Sequence, residues 1–210
     1  MTESRAKVAV IYYSMYGHIK QLTDEFVKGL SEAGCDVSVF RAPELLAEEV
    51  VAKMGAPGPD TSVPLMDYAA IQTLPEFDGI AFGVPTRYGM MAHQMKSVFD
   101  GMGQLWMKGA LIGKPATVFV STGTQGGGQE TTNLTAITQL VHLGMIYVPT
   151  GYSFPKMFDM NEIHGGSPYG AGTFAGPDGS RQPSDLEKEF GAHHGKHFGK
   201  TVVALKKGSI

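Results

Sequence analysis

Val8-Ala9-Val10-Ile11-Tyr12-Tyr13-Ser14-Met15-Tyr16-Gly17-His18-Ile19 is the stretch on which the reading of this chain turns. Its first half is a continuous run of β-branched, apolar and aromatic residues, the composition of a central strand in a parallel sheet covered on both faces. Its second half is a polar, Gly-containing turn. Beyond it Ile19, Leu22, Phe26, Val27 and Leu30 recur at helical spacing until Gly34, where a helix would stop. Strand, turn and helix in that order are the first half of a βαβ unit.

The pattern repeats along the chain. Residues 37–40, 79–84, 116–120 and 145–148 read as strands two to five, and residues 43–54, 95–106 and 130–143 as helices between them. Pro183-Ser184-Asp185-Leu186-Glu187 carries a capping-box signature for a last helix running to about residue 206. The run Gly55-Ala56-Pro57-Gly58-Pro59-Asp60 must interrupt regular structure, and residues 65–77 read as an element added before strand three. Five strands alternating with helices predict an α/β fold with a parallel sheet. Residues 153–182 are dense in Gly and Pro and too long for a passive connection, so they are expected to cover a site or an interface. The whole of residues 1–210 reads as one domain, since that length supports a full core but only marginally two.

Formal charge is -3 and the isoelectric point about 6.1, with no cationic cluster beyond Lys206-Lys207, so no nucleic-acid partner is expected. Cys35 is the only cysteine, which fits a reducing compartment or simply a small buried filler. Residues 1–7 are polar and lead into a six-residue apolar run, too short for a signal-peptide core or a membrane span. A cytoplasmic, soluble protein is expected.

Three loops follow strands and would meet at one sheet edge: residues 14–19, Pro85-Thr86-Arg87-Tyr88-Gly89, and residues 121–130. Open α/β sheets bind ligands beyond the carboxyl ends of their strands. Ser14, Gly17 and the first amides of the next helix suit a phosphate monoester, while the absence of a Gly-Lys-Ser/Thr ending and of a Gly-x-Gly-x-x-Gly spacing disfavours triphosphate hydrolysis and a Rossmann site. His18 either adds a hydrogen bond there or merely begins the helix. Pro85, Gly89 and Gly126-Gly127-Gly128 suit close approach to a flat heterocycle, with Tyr16, Tyr88 and Trp106 as candidate aromatic walls. Taken alone, the Gly-rich loop reads equally well as a turn without a ligand.

These loops, with Gly165-Gly166-Ser167-Pro168-Tyr169-Gly170-Ala171 and Gly176-Pro177-Asp178-Gly179-Ser180-Arg181-Gln182-Pro183-Ser184, resemble the WrbA family of flavodoxin-like NAD(P)H:quinone oxidoreductases over nearly the whole chain. The resemblance implies a three-layer sandwich with a five-stranded parallel sheet in the order 2-1-3-4-5. It implies that Ser14, Met15, Tyr16, Gly17, His18 and Ile19 hold the phosphate of FMN. Pro85, Thr86, Arg87, Tyr88, Ser121, Thr122, Gly123, Thr124, Gln125, Gly126 and Gly127 would hold its ring and ribityl chain, with His142 near the cofactor from a neighbouring segment or subunit. Tyr16 and Trp106 would border a pocket shared by the nicotinamide and the quinone. Gln125 lengthens its loop by one residue relative to some bacterial members, and Leu143 stands where some relatives have a second His.

The activity so implied is two-electron reduction of quinones by NADH or NADPH through bound FMN, with ping-pong kinetics and no acid–base dyad. Arg87 would either stabilise negative charge on the reduced ring or serve as a phosphate or surface ion-pair residue. The alternatives are a flavodoxin-like electron carrier, against which a charge of only -3 argues because it gives little steering, and an FMN-loaded structural or regulatory protein. A homotetramer with sites completed across subunits is implied. Met90, Met91, Met95, Met102 and Met107 suit either adaptable contacts or core filling. His193, His194 and His197 are expected on a solvated helix face, and no metal is assigned.

Overall fold

The computed structural model of the chain describes residues 4–208, so residues 1–3 of the polar lead-in lie outside the described residues. β1 (Ala6–Tyr12) is buried at every position but Lys7, as its apolar run requires of a central strand. α1 (His18–Glu32) follows, with Gly17 as its left-handed N-cap, and then β2 (Cys35–Arg41), α2 (Glu48–Lys53) and α3 (Tyr68–Ile71). β3 (Gly79–Arg87) turns back into the two-residue β4 (Met90–Met91), followed by α4 (His93–Asp100) and α5 (Gly103–Met107). β5 (Pro115–Thr122), α6 (Gln129–His142), β6 (Ile146–Tyr147), β7 (Gly172–Phe174) and α7 (Asp185–Gly208) complete the order.

The sheet runs β2-β1-β3-β5-β6 with all neighbours parallel, the expected flavodoxin-like order. Two short strands lie off that path. β4 pairs antiparallel with the end of β3, Thr86 opposite Met91. β7 lies alongside the far end of β5, Val120 opposite Gly172, while β6 pairs only with Pro115 and Ala116 at the near end. The position beside β5 is thus divided between two short strands, and the Gly/Pro-rich segment is what leaves the sheet after β6 and returns as β7.

Apolar clusters cover both faces. Val8, Val10, Phe26, Phe119, Phe190 and Phe198 pack under α1 and α7, with Phe26 and Phe119 stacked at 5.0 Å. Ile11, Ile80, Phe82, Met95, Phe99 and Leu140 pack under α4 and α6. Each fully buried side chain of this kind contributes roughly 1.5–3 kcal/mol. Met95 and Met102 are core fillers, whereas Met90 and Met107 are exposed.

The expected helices differ in two places. Residues 43–54 shorten to α2, because Glu44 Oε1 accepts from the N–H groups of Leu45 and Leu46 and so supports a turn ahead of the helix. Residues 95–106 divide into α4 and α5 at Gly101, where a Cβ would meet Ile71 Cδ1 at 2.7 Å. The capping box forms as expected: Glu187 N–H donates to Ser184 Oγ at 3.3 Å and Ser184 N–H to Glu187 Oε2 at 2.8 Å.

The histidines of α7 correct the sequence reading. His194 is 0% exposed, its Nδ1 accepting from Ala171 N–H at 3.1 Å and its Nε2 lying 2.7 Å from Thr117 Oγ1. His193 is half-buried beneath Ser153 and Phe154, so the returning segment covers the face expected to be solvated. Among the described residues, no group of three or more His, Cys, Asp or Glu is placed to hold a metal ion.

Candidate functional site

Parallel strands bring their carboxyl ends to one edge, and there the three loops meet. Ser14, Met15, Tyr16, His18 and Ile19 line a cavity of about 200 Å³ together with Pro85, Thr86, Arg87, Ser121, Thr122 and Gly123. Ala175 and Gly179 of the returning segment complete the wall. The lining holds a guanidinium and an imidazole and no carboxylate.

The first loop is shaped for an anion. Gly17 sits at φ 93 with nothing within 4 Å of where a Cβ would stand. As residue N1 and N2 of α1, His18 and Ile19 have no intrahelical partner for their N–H groups. Lys20 N–H donates to Ser14 Oγ at 3.2 Å, which leaves the Ser14 hydroxyl hydrogen to donate outward. Thr86 Oγ1 likewise accepts from Thr132 Oγ1 at 2.8 Å and from Gly89 N–H at 3.2 Å, so its own hydrogen is available. This donor set fits a phosphate ester, and the fit follows from the loop chemistry alone.

Of the two readings left open for His18, the structure shows the helix start. His18 begins α1, is 6% exposed, lines the cavity, and places Nε2 2.7 Å from the carbonyl oxygen of Arg181. Arg87 donates to the Thr86 carbonyl at 2.9 Å and touches Met15 Sδ at 3.9 Å, and among the described residues it forms no ion pair. Tyr13 and Gln94 support the loop from below by donating to Glu44 at 2.7 and 2.8 Å. Burial and the adjacent Glu44 push the Tyr13 phenol well above its usual range.

Several expected residues stand elsewhere. Gly17 borders a second cavity of about 290 Å³ over β1 and β2, whose lining mixes Lys20 and Arg41 with Glu44 and Asp60. Tyr12 also lines it, its hydroxyl buried without a hydrogen-bond partner among the described residues and pushed by burial to a pKa of about 12. Tyr88 is 102% exposed at φ 56, standing off the β3–β4 turn rather than walling the cavity. The Gly-rich loop curls away after Gly123, because Thr122 Oγ1 donates to the Thr124 carbonyl at 2.8 Å and Gly127 N–H to the same carbonyl at 3.1 Å. Thr124 and Gly127 are therefore absent from the cavity wall, and Gln125 and Gly126 line a groove shared with His164 and Gly166.

Two further expectations are corrected within this chain. His142 is exposed at the far end of α6, roughly 20 Å from Gln129 at the helical rise per residue. Trp106, 61% exposed on α5, lines a shallow groove with Tyr68 and Met107, because the break at Gly101 sends α5 away from the loops. Sequence reasoning missed Ala175 and Gly179. Gly179 lies in a stretch that matched a family motif and Ala175 just outside it, but contact between residues so far apart in the chain follows only from the return of β7.

Residues 6–159 match the family described as NADPH-dependent FMN reductase. A protein of Triphysaria versicolor named as a quinone-oxidoreductase is 55% identical over 205 residues, covering 97% of this chain and 98% of its own. One from Aromatoleum aromaticum, named NAD(P)H dehydrogenase (quinone), is 46% identical over 203 residues, covering 96% of this chain and 98% of its own. The solved structure of a flavodoxin, WrbA-like protein from Agrobacterium tumefaciens has the same fold, with a TM-score of 0.65 and 16% identity over 94% of this chain and 97% of that one. By sequence the chain belongs to the NADPH-dependent FMN reductase family, and by the order of its sheet its fold is flavodoxin-like.

Proposed function

We propose that the protein is an FMN-dependent NAD(P)H:quinone oxidoreductase. The observation that carries this reading is the convergence of three separate loops on one cavity free of carboxylates, bordered by Arg87, His18 and the hydroxyls of Ser14 and Thr86. Ser14, His18 and the first amides of α1 hold the phosphate, while Pro85, Thr86, Arg87, Ser121, Thr122 and Gly123 take the ribityl chain and one edge of the ring. At about 200 Å³ the cavity is smaller than the ~300 Å³ lower bound usual for ligand pockets, so the ring keeps an open face on which flat molecules stack.

Bound FMN supplies the chemistry: a hydride from NAD(P)H and a proton become, in a second half-reaction on the same face, the two electrons and two protons that convert a quinone to its hydroquinone. The chain's own residues orient the ring and place beside it the guanidinium of Arg87, which forms no ion pair among the described residues. Names of relatives at 46–55% identity point to the same substrates.

The chain acts as one domain and assembles as a homotetramer. Support for assembly comes from Ile112, Val141 and Ile146, exposed by 71, 65 and 44% around the end of α6, where His142 also lies. Only a neighbouring subunit would bring His142 or Trp106 to a cavity. No helix among the described residues is long and apolar enough to cross a membrane, and one buried cysteine suits a reducing cytoplasm.

The test is an anaerobic absorbance titration of the FMN-loaded protein with NADH or NADPH and then benzoquinone. Bleaching of bound flavin and full recovery with one equivalent of quinone is the expected result. Binding without bleaching would shift the function to an electron carrier or structural protein, and absence of FMN binding would remove the reading.

A further inference from the structure

Arg181 lies in the late Gly/Pro-rich segment, far in sequence from the three loops, and is held from several sides. Its Nη1 donates to the Phe174 carbonyl at 2.9 Å and Glu187 Oε2 at 3.0 Å, and its Nη2 to the Ile163 carbonyl and Glu187 Oε1, both at 3.1 Å. Its guanidinium carbon stands 4.4 Å from the centre of the Phe174 ring. Glu187 is 0% exposed and is itself fixed by donors from Gly165 N–H, Thr173 Oγ1 and Ser184 N–H at 2.7 to 2.8 Å. A two-pronged pair with a carboxylate so anchored leaves the guanidinium one position.

The backbone follows the side chain. Arg181 N–H donates to the Ala175 carbonyl at 2.8 Å, closing the turn whose Ala175 and Gly179 border the cavity. Its carbonyl oxygen then stands 2.7 Å from His18 Nε2. A carbonyl only accepts, so Nε2 carries the hydrogen, and in the neutral ring Nδ1 is the bare acceptor.

We propose that Arg181 is a positioning residue for the cofactor phosphate: its backbone carbonyl sets the tautomer and orientation of His18, so that Nδ1 is the ring nitrogen offered to the ligand. This rests on the flavin reading above and deepens it. A contact between Nδ1 and a phosphate oxygen holds one proton, on the ring or on the phosphate, because two bare acceptors do not bond. The Glu187–Arg181 pair thus serves the binding site from outside it.

The experiment compares FMN with riboflavin, which has the same ring and no phosphate. Dissociation constants of the FMN-free protein are measured for wild type, Arg181→Gln, His18→Ala and the double variant. Arg181→Gln is expected to weaken FMN about tenfold, the scale of one charge-assisted hydrogen bond, and to leave riboflavin nearly unchanged. In the His18→Ala background it should weaken FMN no further. Equal weakening of both ligands, or an unchanged constant for FMN, would overturn the proposal while the flavin reading stands. Wild-type protein binding neither ligand would remove that reading and the proposal with it. Should Arg181→Gln fail to fold, the wild type still decides: ¹⁵N-histidine spectra of FMN-free protein at pH 8 should show His18 protonated on Nε2, and the Nδ1–H tautomer would refute the proposal.

Discussion

His194 shows how one side chain reports the acid response of the fold. Burial lowers its pKa from 6.5 to about 3, and its two hydrogen bonds fix the neutral ring with Nδ1 accepting from Ala171 and Nε2 donating to Thr117. Well above pH 6.5 the ring is neutral in the folded and the unfolded chain alike, and the full stability is present. As pH falls below that, the unfolded chain binds a proton that the folded one refuses, so stability drops by about 1.4 kcal/mol per unit. Urea unfolding at pH 6.5 and 5 should therefore show a loss of about 2 kcal/mol. His194→Asn, although less stable throughout, should lose most of that slope; His193, also lowered by burial, retains a smaller part.

Between elements, α1 and α7 approach backbone to backbone. Gly191, Gly195 and Gly199 recur every four residues on α7, and Gly29 faces them from α1. A Cβ on Gly195 would overlap the Phe26 carbonyl oxygen, and one on Gly29 the Ala192 carbonyl oxygen. Backbone thus packs on backbone, which explains glycines inside helices where they otherwise cost about 1 kcal/mol each. Gly195→Ala should destabilise by about 3 kcal/mol or more, because two helices must separate. Gly103→Ala on α5, with nothing within 4 Å, should be neutral or stabilising by up to about 1 kcal/mol. Thermal melts of the two variants make the comparison.

At the scale of the molecule, the apolar surface around Ile112, Val141 and Ile146 predicts assembly. Sedimentation should give a multiple of 22.4 kDa, four-fold if the tetramer is right, and Val141→Asp should shift it toward smaller species without unfolding the chain. Should His142 or Trp106 serve a neighbour's cavity, quinone turnover would fall along with the sedimentation coefficient. A monomeric wild type would leave both residues without a route to any cavity.

The strands and most of the cavity wall could be read from local patterns, because an apolar run followed by a polar Gly turn and a 3.6-residue period needs no distant partner to be interpreted, whereas the strand order came only from the family resemblance. Ser14, Thr86 and Ser121 fall in one cavity since parallel strands align their ends, whatever surrounds them. Other features depended on chain segments remote in sequence. β7 has three residues and no periodic signal, and it exists because β5 offers an unpaired edge beyond β6. Its return buries His194, brings Arg181 to His18 and carries Ala175 and Gly179 to the cavity. The exposure of Tyr88, the bend of the Gly-rich loop after Gly123 and the remoteness of His142 and Trp106 likewise follow from helix direction and hydrogen bonding in three dimensions. The sequence by itself determined the sheet and the chemistry of its loops, both written in local spacing; which residues the insertion brings to them only the tertiary structure decided, because those contacts join segments up to 163 positions apart.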